Sequence, residues 1–205
     1  MEWLELKLHE YSIDVDRTKI IYSLTILSSF ISVWIPKIPF LSAFSFPITT
    51  AGVFAILFLI FDNFLWKLKI LRKIGVVQTP NINGIWKGNF KSSYSNFKDA
   101  YPATLIIKQT WTKIRIRGKF NNSLSNSDIA SIKVKDGSDM MLYYSYQNDK
   151  RPEHHELPFS NHNGFCSLEW NEEEDFFEGV YYNNPTNNKY HGVFDKLKRV
   201  SKSRQ

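Results

Sequence analysis

Two long stretches without a charged residue dominate the N-terminal third of the chain. The first, residues 20–36, holds 17 residues between Lys19 and Lys37, and the second, residues 38–61, holds 24. Because a helix rises about 1.5 Å per residue, the first stretch spans about 25 Å, which approaches the ~30 Å hydrocarbon core of a bilayer. No uncharged stretch of this length follows Val77. The sequence therefore predicts a membrane-anchored chain with one folded domain after the apolar segments.

Prolines and tryptophans set the bounds of the two predicted transmembrane helices. The first is expected over residues 20–36, with Trp34 at the lipid–water interface, where tryptophan is enriched. Since Pro39 and Pro47 interrupt the second stretch, its helix is expected over residues 47–66, which again end in a tryptophan. A signal peptide is not expected, because the N-terminus is acidic and no small-residue cleavage site follows the apolar stretch.

Basic residues flank the two predicted helices unevenly. Lys37 lies in the connecting turn, whereas six basic residues lie outside the pair: Arg17, Lys19, Lys67, Lys69, Arg72 and Lys73. Because basic residues collect on the cytoplasmic side of membrane proteins, both termini are predicted to be cytoplasmic. Residues 1–19 then form a cytoplasmic N-terminal segment, and residues 78–199 form a cytosolic domain. A basic tail, residues 200–205, follows the domain.

Small and hydroxylated residues recur on one side of each predicted helix. Thr25, Ser29 and Ser32 share a face of the first helix, and Ala51 and Ala55 share a face of the second. Such residues let helices approach closely in lipid, where apolar burial supplies no driving force between them. The two faces are expected to pack against each other within the hairpin, or to mediate self-association between copies of the chain.

The residues after Val77 follow the period of β-strands. In the segment TKIRIRGKF, Ile114 and Ile116 lie on one side, and Arg115 and Arg117 lie on the other. Eight segments are predicted as strands: 84–90, 103–111, 112–120, 123–134, 140–147, 165–170, 176–182 and 189–197. Predicted turns separate several of them, at Asn121-Asn122, Asp136-Gly137, Asn148-Asp149, Asn163-Gly164 and Asn184-Pro185.

About eight short antiparallel strands fit either a closed barrel or a sandwich of two sheets. Gly84-Ile85-Trp86 is similar to the glycine–tryptophan pair at the floor of lipocalin-type barrels, and a chain with one cysteine has no internal disulfide to join two sheets. The predicted fold class is therefore a membrane protein with two N-terminal transmembrane helices and a C-terminal all-β domain. That domain is expected to form a small closed barrel, wide enough for one small ligand.

Residue patterns for catalysis are weak. His154-His155-Glu156 follows Arg151-Pro152 without metal-ligand spacing, and Cys166 lies in a predicted strand, where a buried structural thiol is expected. No glycine-rich phosphate loop and no Gly-x-Ser-x-Gly motif occurs. The sequence therefore predicts a protein that is not an enzyme, with no catalytic residue, no metal ligand and no cofactor.

Residues suited to nucleotide recognition are better represented. Hydroxyls project from one face of segment 123–134, tyrosines come in pairs so that one of each pair faces inward, and an arginine follows segment 140–147. Aromatic rings stack on bases, while hydroxyls, amides and arginine bind phosphates. The candidate ligand-binding residues are Gln109, Trp111, Ser123, Ser125, Ser127, Tyr144, Tyr146, Arg151 and Tyr181.

The basic side of segment 113–119 is interpreted as a solvated strand face, with phosphate or the anionic inner leaflet as alternative partners. It carries Lys113, Arg115, Arg117 and Lys119. DNA or RNA binding is not expected, because no recognition helix is visible. The net charge after residue 77 is also a modest +4, from 18 basic and 14 acidic residues.

The order of motifs along nearly the whole chain resembles a known family. Two transmembrane helices and a basic stretch precede Asn83-Gly84-Ile85-Trp86-Lys87-Gly88. The order continues through residues 107–111, Ser-x-Ser-x-Ser at 123–127, residues 142–146, Asn163-Gly164, residues 177–182 and residues 192–199. The chain resembles the two-transmembrane β-barrel effectors of bacterial cyclic-oligonucleotide antiphage signalling (CBASS), which are encoded beside a CD-NTase.

The resemblance implies a function and a location. In that family a cyclic dinucleotide made after phage infection binds the barrel, the protein forms a homo-oligomer, and clustered helices disrupt the bacterial inner membrane. The implied partners are a cyclic dinucleotide, the lipid bilayer and further copies of the chain. Two other classes stay open: a membrane-tethered, lipocalin-like carrier of an apolar ligand, and a hydrolase that uses His154-His155-Glu156.

Overall fold

The computed structural model describes residues 7–38, 49–121, 123–134, 140–150, 161–184 and 189–201. The chain divides into two compact units: Val15–Thr79 forms one, and Met1–Asp14 together with Pro80–Gln205 forms the other. Several predictions lie outside the described residues, namely those for Arg151, His154-His155-Glu156, Pro39, Pro47, the Asp136-Gly137 turn and the tail after residue 201.

Two apolar helices form most of the unit Val15–Thr79, which confirms the predicted helix pair. Helix α1 spans Thr18–Trp34 and is followed by a single 3-10 turn, Ile35–Lys37. Helix α2 spans Thr50–Asn63 and is followed by a 3-10 turn, Leu65–Lys67, and a short helix α3, Lys69–Lys73. By length and composition alone, the described stretch Thr50–Lys67 is long and apolar enough to cross a membrane, whereas Thr18–Trp34 is a shorter apolar helix.

Helices α1 and α2 contact each other along a narrow face and leave most of their apolar surface exposed. Buried positions on α1 recur every four residues, at Ile20, Leu24 and Ser28, and Ser32 Oγ lies 2.9 Å from Thr50 Oγ1 on α2. The exposed apolar side chains include Tyr22, Ile26, Phe30, Val33, Trp34, Ile56, Leu59 and Ile60. Exposed apolar surfaces of this extent are typical of regions that contact lipid or another protein.

The small-residue faces do not pack inside the hairpin as a set. Thr25, Ser29, Ala51 and Ala55 are all exposed, so that interpretation is wrong for these four residues, although Ser32 does reach α2. The reason is geometric, because α1 packs through the side that carries Leu24 and Ser28. Each residue along a helix is rotated about 100° from the one before, so Thr25 and Ser29 lie beside this contact side rather than on it. The hydroxyls of Thr25 and Ser29 instead donate to backbone carbonyls one turn earlier in α1.

The second unit is a closed barrel with nine strands among the described residues. The strands are β1 His9–Ile13, β2 Gly84–Ser92, β3 Ala100–Gln109, β4 Lys113–Lys119, β5 Ser123–Lys133, β6 Met140–Lys150, β7 His162–Asn171, β8 Phe176–Asn183 and β9 Tyr190–Ser201. From β2 to β9 each strand pairs antiparallel with the next, and β9 pairs with β2 to close the barrel. The predicted closed all-β barrel is confirmed, and each of its eight predicted strands is present.

Two of the predicted turns are wrong, because the strands run past them. Asn148-Asp149 lies inside β6 and Asn163-Gly164 lies inside β7, where the two segments are paired with each other. Gly164 occupies an interior position at which an added Cβ would collide with the ring of Tyr146. The glycine therefore serves the packing of an aromatic ring rather than a turn.

Strand β1 comes from the N-terminal segment, for which the sequence predicts no strand. Strands β4 and β5 pair directly only near their shared turn, for example at Gly118↔Ser125. Beyond that point β1 lies between them, antiparallel to β4 at His9↔Ile114 and parallel to β5 at Tyr11↔Ala130. The barrel therefore needs the residues that precede α1, and a fragment of residues 78–205 lacks one of its strands.

One end of the barrel interior is filled by side chains around Trp86. Trp86 is fully buried, its ring centroid lies 4.4 Å from that of Phe177, and the Arg199 guanidinium lies 4.3 Å above the indole ring. Arg199 also donates to Asn83 O at 2.9 Å and forms an ion pair with Asp175 at 3.0 Å. We call this the tryptophan end of the barrel.

Replacing Arg199 by alanine is expected to destabilise the barrel by about 2–4 kcal/mol. The variant loses the cation–π stack and the ion pair, and it leaves the Asn83 carbonyl without its donor. Urea unfolding of the full chain in detergent, followed by tryptophan fluorescence, measures the change. Lys198→Ala is the matched control, because this neighbouring side chain is exposed, and its effect is expected to stay within about 0.5 kcal/mol. Equal unfolding midpoints for the two variants would contradict the role assigned to Arg199.

Candidate ligand-binding site

The other end of the barrel interior carries hydroxyl groups among aromatic rings. We call it the tyrosine end, and its buried or half-buried inward-facing side chains include Phe90, Ser92, Ser125, Tyr144, Tyr146, Tyr181 and Phe194. The rings contact one another, as shown by the Phe90 centroid, which lies 5.9 Å from that of Tyr181 and 6.1 Å from that of Phe194. This end of the interior therefore combines flat aromatic surface with polar groups.

All three tyrosines predicted as ligand contacts face the interior here. Tyr144, Tyr146 and Tyr181 are 3%, 7% and 7% exposed, whereas Tyr182 is 55% exposed, so one member of that pair faces inward as predicted. Burial raises the pKa of all three phenols, because the charged phenolate is disfavoured away from water. Each therefore stays a neutral hydroxyl that can donate a hydrogen bond.

Two interior glycines fix the positions of two of these rings. A Cβ at Gly164 would collide with the Tyr146 ring, and a Cβ at Gly192 would collide with the Tyr181 ring. In each case the glycine is the direct cross-strand partner of the tyrosine. The rings therefore lie against the neighbouring strand where a side chain is missing, and this contact determines where their hydroxyls lie.

A polar triad of Asn148, His162 and Asn183 lies at the rim of the tyrosine end. The side-chain nitrogens of Asn148 and Asn183 lie 3.1 and 3.3 Å from His162 Nε2. The carbonyl oxygens Asn148 Oδ1 and Asn183 Oδ1 are buried and have no hydrogen-bond partner within the part of the chain that the structure describes. An unpaired buried acceptor costs about 1–3 kcal/mol, so a further hydrogen-bond donor near either oxygen would stabilise the rim.

Sequence reasoning misses this triad, since it assigns Asn148 to a turn and begins the next strand at Phe165. The alternation of side chains along each strand is the signal that could have found it. Every second residue of β6 faces the interior, so Asn148 follows Tyr146 on that face, and the same alternation on β7 puts His162 on the interior face with Cys166.

The three predicted serines share the interior side of β5 but make different contacts. Ser125 and Ser127 are buried, and Ser123 is half-buried at the rim. Ser127 Oγ accepts a hydrogen bond from Ile116 N at 2.9 Å and lies 2.8 Å from His9 Nε2. Ser127 therefore holds β1 and β4 in place, whereas Ser123 and Ser125 lie towards the tyrosine end.

Gln109 and Trp111 lie at the opposite end of the barrel from the tyrosine rim. Gln109 is buried, and its side chain is bonded to Tyr11 and to backbone atoms of the segment that precedes β2. Trp111 is 1% exposed, and its carbonyl oxygen accepts a hydrogen bond from Tyr11 Oη at 2.8 Å. The structure therefore brings together the predicted tyrosines with Ser123 and Ser125, and places Gln109 and Trp111 elsewhere.

The remaining candidate groups are the basic residues of β4, possible metal ligands and Cys166. The basic residues of β4 alternate with buried Ile114 and Ile116 and so face outward, and Arg115 Nη1 donates to Lys7 O at 3.2 Å. Among the residues that the structure describes, no group of three His, Cys, Asp or Glu side chains is placed to hold a metal ion. Cys166 is buried in the interior, and burial raises the pKa of its thiol to about 12.

The fold defines a class of protein: a small closed barrel in a chain with two apolar helices, with hydroxyl groups, amides and aromatic rings at one end of the barrel interior. Comparison with known proteins gives the family. Residues 77–199 match the family model described as "Cap15, cyclic dinucleotide receptor domain". The chain is also 31% identical over 199 residues to CD-NTase-associated protein 15 of Yersinia aleksiciae. The alignment covers 87% of this chain and 91% of that protein. The chain therefore belongs to the Cap15 family, and its resemblance to CBASS effectors is confirmed.

Cys166 is expected to resist alkylation in the folded chain. With a thiol pKa of about 12, on the order of 10⁻⁴ of the group is thiolate at pH 8, and the thiolate is the nucleophile. Because Cys166 is also buried away from the reagent, labelling by iodoacetamide at pH 8 should be at least about 100-fold slower in the folded chain than in the unfolded chain. Mass spectrometry of the full chain in detergent measures the adduct, with the urea-unfolded chain as the fully reactive control. Rapid labelling of the folded chain at pH 8 would contradict the assignment.

Proposed function

We propose that this chain is an effector of bacterial antiphage defence whose barrel binds a cyclic dinucleotide at the tyrosine end. The observation that carries the proposal is the triad, in which Asn148 Oδ1 and Asn183 Oδ1 are buried without partners among the described residues. This triad borders an aromatic interior in a chain that matches a cyclic dinucleotide receptor domain. Nucleobases carry N–H and amino groups that donate to such oxygens, and flat faces that stack on aromatic rings.

The groups at the tyrosine end divide between the bases and the phosphates of the proposed ligand. The aromatic rings of Tyr146 and Tyr181 offer stacking surface, and the amides of the triad bind base edges. The hydroxyls of Ser123 and Ser125 donate to phosphate oxygens. Arg151, which follows the last residue of β6, is proposed as the charge-assisted partner of a phosphate.

The interior chemistry disfavours the lipocalin-like alternative. A carrier of an apolar ligand requires an aliphatic lining, whereas the tyrosine end carries the hydroxyls of Ser125, Tyr146 and Tyr181 among aromatic rings. Membership of a receptor-domain family favours a binding effector over an enzyme. The hydrolase alternative depends on residues 154–156, which lie outside the described residues.

The strand order supports a paired crossing of the inner membrane by α1 and α2. Strand β1 precedes the helices and β2–β9 follow them, yet all belong to one barrel. Both ends of the helical pair must then lie on the same side of the bilayer, which requires an even number of crossings. The basic residues outside the pair support a cytoplasmic location for that side, and the exposed apolar side chains of both helices suit contact with lipid.

Ligand-dependent oligomerisation is the proposed switch. Thr25, Ser29, Ala51 and Ala55 are exposed, and small residues let helices from different copies approach closely in lipid. A ligand that binds assembled barrels more tightly shifts the equilibrium towards assembly by its differential affinity for the two states. The clustered helices then disrupt the inner membrane, and arrest or death of the infected cell limits phage spread.

The ligand assignment is tested by titrating the full chain in detergent with a panel of cyclic di- and trinucleotides. At least one cyclic dinucleotide is expected to raise the unfolding midpoint, because a ligand that binds only the folded state stabilises it. Asn183→Ala should weaken that binding by about tenfold, or about 1.4 kcal/mol, with little change in the unfolding midpoint of the free protein. Arg151→Ala should weaken it as well.

Asn163→Ala is the matched control for this titration. Asn163 neighbours the triad residue His162 but is exposed, and the alternation of β7 directs it outward. Its affinity for the cyclic dinucleotide should equal that of the parent chain. No binding by the parent chain to any compound of the panel, or equal affinity of Asn183→Ala and the parent chain, would contradict the proposed site.

The helix faces are tested by Ser29→Leu and Ala55→Leu in the full chain reconstituted into vesicles. Either leucine should separate helices of neighbouring copies and reduce ligand-induced dye leakage by about tenfold, since close approach depends on small side chains. Ligand affinity should not change, because the substitutions lie outside the barrel. Ile26→Leu, at an exposed apolar position of α1, is the matched control. Leakage equal to that of the control would exclude a packing role for these faces.

A further inference from the structure

The side chain of Gln109 lies where the segments before and after the helical pair meet. Gln109 Nε2 donates to Tyr11 Oη and to Pro80 O, at 3.2 Å each, and Gln109 Oε1 accepts from Ile82 N at 3.1 Å. Tyr11 lies seven residues before the first residue of α1, and Pro80 lies seven residues after the last residue of α3. One buried side chain therefore joins the segment that leads into the helices to the segment that leads out of them.

Further hydrogen bonds hold both segments to the same place. Asn83 Nδ2 donates to Gln109 O at 2.8 Å, and Gln109 N donates to Asn83 Oδ1 at 2.6 Å. Tyr11 Oη also donates to Trp111 O at 2.8 Å. Gln109 and Tyr11 are 2% and 5% exposed, so water does not compete for these bonds. In such surroundings a fully paired polar network is rigid.

Strand β1 connects this network to the neighbourhood of the proposed ligand. His9, at the other end of β1 from the helices, has its Nε2 2.8 Å from Ser127 Oγ. Ser127 is buried on β5, two residues from Ser125 at the tyrosine end. A strand of five residues, rising about 3.3 Å per residue, thus runs from the serines of the interior to the start of the linker to α1.

We infer that Gln109, Tyr11 and residues 80–83 form a clasp that couples the barrel to the membrane helices. Strand β1 connects this clasp to Ser127, near the proposed ligand. The inference rests on the proposed function, because it assigns the route by which ligand binding acts on the helices. A flexible tether would only raise the local concentration of helices. A clasp that holds both segments at one place in the barrel lets a change in the barrel act on both segments at once.

Tyr11→Phe tests the clasp, because it keeps the buried ring and removes the hydroxyl that serves Gln109 and Trp111. The full chain is reconstituted into vesicles of phosphatidylethanolamine and phosphatidylglycerol and titrated with the cyclic dinucleotide that binds the parent chain most tightly. Binding should stay within about twofold of the parent, while ligand-induced dye leakage should fall by at least about tenfold. Tyr143→Phe is the matched control, since Tyr143 lies next to inward-facing Tyr144 and is directed to the outer face of β6.

A second measurement needs no ligand. Amide hydrogen exchange of the free full chain should quicken in Tyr11→Phe both at residues 9–13 and at the Ile82 N–H that Gln109 holds, and in Tyr143→Phe at neither. Faster exchange at β1 with an unchanged Ile82 would show that the two segments are not held as a unit, and would overturn the clasp. If the parent chain binds no cyclic dinucleotide, the proposed function fails and this measurement alone decides the clasp.

An engineered disulfide tests whether leakage can be restored in the Tyr11→Phe variant. Glu10 and Lys113 are exposed cross-strand partners on β1 and β4, so the pair Glu10→Cys and Lys113→Cys, when oxidised, ties β1 to the barrel without the Tyr11 hydroxyl. Oxidation should restore leakage in the Tyr11→Phe background, and reduction should abolish it again. Leakage by Tyr11→Phe without the disulfide at the parent level, a parallel loss of ligand affinity, or no rescue by the formed disulfide would each overturn the inference.

Discussion

Closure of the barrel depends on backbone hydrogen bonds supplied by β1, a strand that the helical pair separates from all the others along the chain. Without β1, parts of β4 and β5 would present unpaired amides and carbonyls at an open seam, which proteins avoid. The requirement ties the two ends of the helical pair to one sheet.

The two ends of the barrel interior differ in how their polar groups are paired. At the tryptophan end, Arg199 is stacked on Trp86, ion-paired and bonded to backbone carbonyls, so its charge is matched where it is buried. At the tyrosine end, Asn148 Oδ1 and Asn183 Oδ1 are buried without partners among the described residues. A buried acceptor left unpaired lowers stability, and this cost is expected at a site that completes its hydrogen bonds with a ligand.

The strands were predictable because their signal is local. A period-two pattern such as that of Ile114 and Ile116 survives in a single segment, and the eight predicted strands follow from it. The closed barrel was predicted from Gly84-Ile85-Trp86 and from the single cysteine, which leaves no internal disulfide to join two sheets. The candidate site was predictable only in part. Three tyrosines and two serines lie together as expected, but Gln109 and Trp111 lie at the far end. Which end of a strand a residue reaches depends on the register of its neighbours, and a single strand carries no record of that register.

The sequence by itself determined the two apolar helices, the existence of strands β2–β9 and the side of these strands that faces the interior. These properties depend on the hydrophobicity and alternation of neighbouring residues. Only the tertiary structure decided that residues 9–13 complete the barrel, that Gln109 joins Tyr11 to residues 80–83, and that the triad of Asn148, His162 and Asn183 meets at one rim. Each of these contacts joins residues that are far apart along the chain, so the closed sheet, rather than any local pattern, brings them together.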